Sequence, residues 1–142
     1  IEPESTMTAQ YSCPYIVGAT LVYGLERYDA YGEAFLADPR IRAVAERVSF
    51  RLDPQMEAEY YPRHYASGVR LTLTDGSERR AMVVDSFGTI ARPMSRAQII
   101  AKGAGLAQLG NFPSGEALAA TIWDEASGAQ ALAAQLSGVP RA

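Results

Sequence analysis

The stretch GVRLTLTDGSERRAMVVD, residues 68–85, decides the fold. Val69, Leu71 and Leu73 alternate with Arg70, Thr72 and Thr74, the period of two that sends apolar side chains to one face of a strand. Asp75-Gly76 follows as a two-residue hairpin signal, because a type I′ turn needs positive φ at both central positions. The return run, Glu78 to Asp85, alternates Arg80, Met82 and Val84 with Ala81, Val83 and Asp85. Its mixed faces predict a central or doubly covered strand.

Upstream, Asp38 suits a helix N-cap and Pro39 the first helical position. Ile41, Val44, Ala45 and Val48 then fall at i, i+3, i+4 and i+7 of an amphipathic helix. Val48, Phe50 and Leu52 alternate in turn and predict a further strand that Pro54 ends. Residues 54–66, polar and aromatic, read as a long loop. The sum is three strands, at least two antiparallel, with helices on one face: an α+β, two-layer antiparallel sheet followed by C-terminal helices.

The flanks are helical. Tyr11, Tyr15, Gly18 and Val22 share one face, and Pro14 either sits in the first turn after an N-cap at Ser12 or bends a helix that starts near Thr8. The tyrosine run Tyr23, Tyr28 and Tyr31, punctuated by Gly24 and Gly32, reads as a turn plus a short helix. Residues 86–94 form a Gly/Pro loop. Ser95 with Gln98 opens a helix to about Leu109, Ser114 opens another, and Ser127 with Gln130 is a capping box for the last.

A chain of 142 residues with 48% apolar and 20% charged residues is long enough for one cored domain. Net charge −3 gives no basic footprint for nucleic acid. No apolar run reaches the roughly 18 residues of a membrane span. Cys13 is the only cysteine, so no internal disulfide forms, and one histidine cannot build a metal site. The opening Ile1-Glu2-Pro3, without initiator methionine or signal segment, is expected of a piece of a longer protein. The twelve arginines against one lysine, Lys102, follow a GC-rich composition.

No phosphate-binding glycine loop is present; Gly103-Ala-Gly105 lies inside a helix. Cys13 is expected to be buried and inert rather than paired with His64 as a nucleophile. His64, in Tyr-Pro-Arg-His-Tyr, is either an acid–base or substrate-binding group or a loop histidine among tyrosines. Arg63, Arg70, Arg79, Arg80 and Arg92 either hold carboxylates or form a solvated face.

Taken in order, several segments resemble the C-terminal part of the MmgE/PrpD family, which includes 2-methylcitrate dehydratase, cis-aconitate decarboxylase and iminodisuccinate epimerase. Ala9-Gln-Tyr-Ser-Cys-Pro-Tyr-Ile-Val-Gly-Ala19 is similar to the family's Ala-x-Phe-Ser-Leu-x-Tyr-x-Val-Ala segment. Asp38 to Val48, the Asp75-Gly76 hairpin, and Gly88 leading to Pro93-Met-Ser follow in the family's order, and Lys102 falls where a Lys-Phe pair lies. The resemblance covers about residues 6–110. Gly18 replaces the usual alanine, Tyr11 a phenylalanine, and Gly103 the phenylalanine after the lysine.

The resemblance implies a bacterial, cytoplasmic two-domain enzyme, homodimeric at full length, that needs no cofactor. Its larger helical domain carries the catalytic histidine and lysines, upstream of these residues. Residues 1–94 are then an α+β lid domain, and residues 95–142 are helices that pack on that larger domain. The substrate is a small polycarboxylic acid such as the 2-methylcitrate of propionate catabolism, and the reaction a dehydration or decarboxylation. An epimerase of the same family, or a non-catalytic ligand-binding module, are the competing readings. Ser12 and Tyr15 match a Ser-x-x-Tyr that faces the cleft, with Tyr15 either a catalytic proton or hydrogen-bond donor or a packing residue. The candidate site set is Tyr15 as catalytic group with Ser12, His64 and Arg92 as substrate-binding groups, and the chain alone is expected to be inactive.

Overall fold

A computed structural model describes residues 3–110, 112, 114–124 and 126–137. It is α+β, with helices before and after one antiparallel pair of strands. The contacts divide the chain into two units, Ile1–Phe50 with Ala97–Ala142, and Arg51–Arg96.

In the first unit, α1 (Thr6–Gln10) is opened by a reciprocal Ser5–Thr8 capping box. Ser12 caps α2 (Cys13–Tyr23), and Pro14 sits in its first turn. The pattern over residues 7–25 is therefore two helices broken at Tyr11, not one bent helix. One turn of 3₁₀ helix (Tyr28–Tyr31) and α3 (Glu33–Leu36) lead to α4 (Pro39–Ala45), capped by Asp38. Ala9, Tyr15, Ala19, Ala30 and Ile41 form the buried cluster. Most of these side chains are methyl groups, so stabilisation depends on close backbone approach.

The closest approach is α2 on α4. A Cβ on Gly18 would lie 2.7 Å from the Ile41 carbonyl oxygen and 3.1 Å from Ile41 Cγ2. Gly18 is what lets these helices meet.

In the second unit, α5 (Pro54–Tyr60) stands where a loop was expected. Asp53 accepts from the Gln55 and Met56 N–H groups, and Pro54 sits in the first turn. No α5 residue is buried, so no apolar stripe announced it.

β1 (Ser67–Thr72) pairs with β2 (Glu78–Val83) from Ser67↔Val83 to Thr72↔Glu78. The hairpin stands, but its turn differs from the expected type I′. Gly76 alone in it has positive φ, at 82°. The Gly76 N–H donates to the Leu73 carbonyl, and the Leu73 N–H to the Ser77 carbonyl. This is a three-residue loop with glycine in the left-handed position. Asp75 Oδ1 accepts from the Ser77 N–H at 2.8 Å, which keeps Asp75 at negative φ.

Two strand expectations are corrected. Residues 48–52 form no strand: Phe50 and Leu52 are exposed, and among the described residues β1 and β2 pair only with each other. Alternation without a partner ladder leaves backbone groups to water. Nor is β2 covered, since each of its residues is exposed. Arg70 faces Arg80 across one rung, a repulsive placement, and Glu78 offsets it with ion pairs to Arg80 (2.7 Å) and Arg70 (3.8 Å).

The remaining helices are α6 (Arg96–Leu109), α7 (Gly115–Trp123, capped by Ser114) and α8 (Ala129–Ser137). The small residues of α6 face neighbours: Gly105 lies against the Tyr28 ring and Ala104 against Gly115. The Ser127 capping box does not form, because α8 starts at Ala129 and the Ser127 hydroxyl donates to Asp124 Oδ2 at 2.6 Å. Among the described residues no helix is long and apolar enough to cross a membrane.

Alanine at position 18 adds helix propensity worth about 1 kcal/mol. The clash with a main-chain oxygen outweighs this, as overpacking costs about 1–3 kcal/mol. Gly18→Ala is expected to lower stability by about 1–2 kcal/mol in urea unfolding; an unchanged or raised midpoint contradicts the close approach.

Candidate functional site

Four residues were singled out by the sequence, and the structure places them as two pairs, one in each unit. Ser12 and Tyr15 are joined locally. The Ser12 Oγ accepts the Tyr15 N–H at 3.4 Å, as an N-cap serine does for the third helical residue. The Tyr15 side chain is 2% exposed. Its hydroxyl donates to the Ala30 carbonyl (2.8 Å) and to the Phe35 carbonyl (3.0 Å). One proton thus serves two main-chain acceptors, and the ring meets Tyr31 at 6.1 Å. Burial pushes the Tyr15 hydroxyl above its ordinary pKa, and the negative charge of Asp38 adds to it. The Ser-x-x-Tyr segment therefore fastens the start of α2 to the 3₁₀ turn and α3, an arrangement that suits positioning more than proton transfer.

A network that the sequence reading did not reach lies at the other end of α2. The Tyr23 hydroxyl donates to Asp38 Oδ2 and accepts from the Arg40 guanidinium. Asp38 also accepts from the Arg40 N–H and side chain, at 2.8 Å each for the nearest contacts. The guanidinium groups of Arg40 and Arg27 lie 5.0 and 5.4 Å from the Tyr23 ring centroid. Arg27 pairs with both oxygens of Asp29, at 2.8 and 2.7 Å. Arg40, and then Tyr23, hold the Asp38 carboxyl well below the usual carboxylate range. The bond to Asp38 likewise raises Tyr23. Asp38 is thus both a helix cap and the hub that ties α4 to α2. Tyr23 was legible only as part of a tyrosine run.

In the second unit, His64 and Arg92 converge on Asp85. His64 Nδ1 lies 2.8 Å from Asp85 Oδ1, and Arg92 Nη1 donates to the Asp85 main-chain oxygen at 3.0 Å. Asp85 was read only as the last residue of a strand. Its partner is 21 residues away, and no local period marks such a pair. The strand arginines meet other partners: Arg70 and Arg80 share the Glu78 carboxylate, and Arg79 donates to the Glu78 carbonyl.

Cys13 is exposed, which corrects the expectation of a buried thiol. It stands at the first helical position of α2. No group of three His, Cys, Asp or Glu side chains able to hold a metal occurs among the described residues.

The order of helices, hairpin and further helices is that of an α+β fold. Residues 1–125 match the MmgE/PrpD C-terminal domain, and the chain belongs to the MmgE/PrpD family, which is a family of enzymes. No curated protein matches the chain.

Tyr15→Phe removes the donor from the Ala30 and Phe35 carbonyls. A loss of about 1–3 kcal/mol is expected from leaving such buried acceptors unpaired, and an unfolding midpoint equal to wild type excludes it. Asp38, depressed in the folded state, stabilises above its unfolded pKa and stops doing so as pH falls. The urea midpoint is therefore expected to drop below about pH 4. Asp38→Asn keeps a cap but no charge, and should lower the midpoint at neutral pH and flatten the acid limb; an unaltered limb rejects the assignment.

Proposed function

We propose that the chain is the lid-bearing C-terminal portion of an MmgE/PrpD-type carbon–oxygen lyase acting on a small hydroxylated polycarboxylic acid such as 2-methylcitrate. The observation that carries this reading is the match of residues 1–125 to the family's C-terminal domain. Elimination from a β-hydroxy acid needs a base for the α-proton, an acid for the departing hydroxyl and cations for the carboxylates. In this reading the base and acid belong to the helical domain. The lid excludes water on closing and brings further donors to the substrate.

Within the chain, His64 and Arg92 are the substrate-contacting groups of this proposal. Ser12 and Tyr15 act through the fold, holding α2 and the Tyr28–Leu36 segment in place. The helices of residues 95–142 pack on the helical domain, and the enzyme is a cytoplasmic homodimer.

The test follows the absorbance of an unsaturated acid as the intact enzyme meets citrates, aconitates and tartrates. New absorbance with a hydroxy tricarboxylate, and none with the 142-residue chain alone, is the expected result. Interconversion of stereoisomers without new unsaturation assigns an epimerase instead. No reaction with any of the panel overturns the lyase reading.

A further inference from the structure

The loop after β2 carries Arg92 and meets His64, which precedes β1, through Asp85. It closes on itself through the Gly88 N–H to the Arg92 carbonyl (2.8 Å) and the Arg92 N–H to the Thr89 carbonyl (3.1 Å). The Thr89 N–H and hydroxyl both donate to the Ser86 carbonyl. Gly88 holds φ at 94°, a conformation that favours glycine. Asp85, at the mouth of this loop, offers its side chain to His64 and its main-chain oxygen to Arg92. One residue thereby tethers an imidazole and a guanidinium. The Arg92 guanidinium also lies 6.0 Å over the Phe87 ring, which restricts it further.

A carboxylate has no proton to give, so His64 Nδ1 is the donor in this bond, and Nε2 is the nitrogen left over. The His64 side chain is 39% exposed and that of Asp85 21%. The Tyr60 ring from α5 stands edge-on behind the imidazole at 6.4 Å. Among the described residues, the titratable and charged groups against His64 are Asp85 and Tyr60, with Arg92 joined through Asp85.

We propose that His64, Asp85 and Arg92 form a binding site for a small polycarboxylic acid in the second unit, with Asp85 as the positioning residue. Protonated His64 donates from Nε2 to one carboxylate, and Arg92 donates from the guanidinium nitrogens that the Asp85 carbonyl does not use. The Asp85 carboxylate neutralises the imidazolium, so the uncompensated charge of the site is that of Arg92. A neutral imidazole turns a lone pair toward the ligand and repels it, so binding takes up a proton. A ligand with two carboxylates engages both groups, and one with a single carboxylate engages one. The choice of polycarboxylate rests on the lyase reading above, while the pairing of the two cationic groups does not.

His64 is the only histidine of the chain, so its imidazole NMR resonances report on the site without ambiguity. The measurement is the His64 titration midpoint in the 142-residue chain, with citrate, succinate, acetate or inorganic phosphate against sodium chloride at matched ionic strength. Citrate is expected to raise the midpoint by about one pH unit, equivalent to roughly tenfold tighter binding to the imidazolium form. Succinate should follow citrate, and acetate should shift less. Arg92→Gln should abolish the difference between citrate and acetate. Asp85→Asn, with the hairpin checked by its cross-strand amide contacts, should reduce the citrate shift severalfold.

A midpoint that moves no further with citrate than with chloride overturns the proposal. So does a citrate shift that survives Arg92→Gln, and so does a phosphate shift equal to that of citrate, which marks a general anion site. Binding is read here without turnover. A shift in an enzyme that dehydrates nothing leaves the site standing, and dehydration without a shift removes the site alone.

Discussion

The contact between α2 and α4 governs the first unit. Two helices can meet this closely only where one has no side chain, and Gly18 supplies that gap against the Ile41 carbonyl. The buried neighbours Ala9, Ala19 and Ala30 are small for the same reason. Each alanine buries little apolar area, so dispersion across a short distance replaces bulk. Directional bonds then fix what the apolar core leaves loose. Tyr15 ties the start of α2 to the Ala30 and Phe35 carbonyls, and Tyr23 ties its end to Asp38. A single helix is fastened at both ends by tyrosines eight positions apart, with the glycine between them.

Much of this fold was legible. The Asp38-Pro39 start, the Ser12 cap and the Asp75-Gly76 reversal are local chemistry, set by residues within four positions of one another. The same Asp-Pro signal recurs at Asp53-Pro54, but the helix after it buries nothing and has no apolar stripe to confirm it. The opposite holds at residues 48–52. There the stripe was clear, but a strand exists only when another backbone completes its hydrogen bonds. The turn type at Asp75 departs from type I′ because the aspartate side chain bonds forward to Ser77, which the dipeptide alone does not reveal.

The candidate site divides along the same line. His64 and Arg92 stood out by residue type, yet what joins them is Asp85, 21 residues from the one and 7 from the other, just past the end of β2. Tyr15 stood out through the family's Ser-x-x-Tyr, and the sequence left open whether its hydroxyl faces substrate or core. The bonds it makes with two carbonyls are long-range facts, as is the meeting of Tyr23 with Asp38. Residue types name the groups capable of chemistry; the fold decides which of them are already occupied.

The hairpin has a consequence for solubility. Among the described residues the two strands have no further strand beside them, and each outer edge is a row of main-chain donors and acceptors that another strand can pair with. β1 and β2 carry Arg70, Arg79 and Arg80 among exposed apolar side chains such as Val69, Met82 and Val83. A second hairpin approaching either edge brings its own arginines against these, and Glu78 is already shared between two of them. Repulsion of this kind acts over about 10 Å at moderate ionic strength and shrinks as salt is added. The charges that burden the rung between Arg70 and Arg80 thus also keep the sheet from growing.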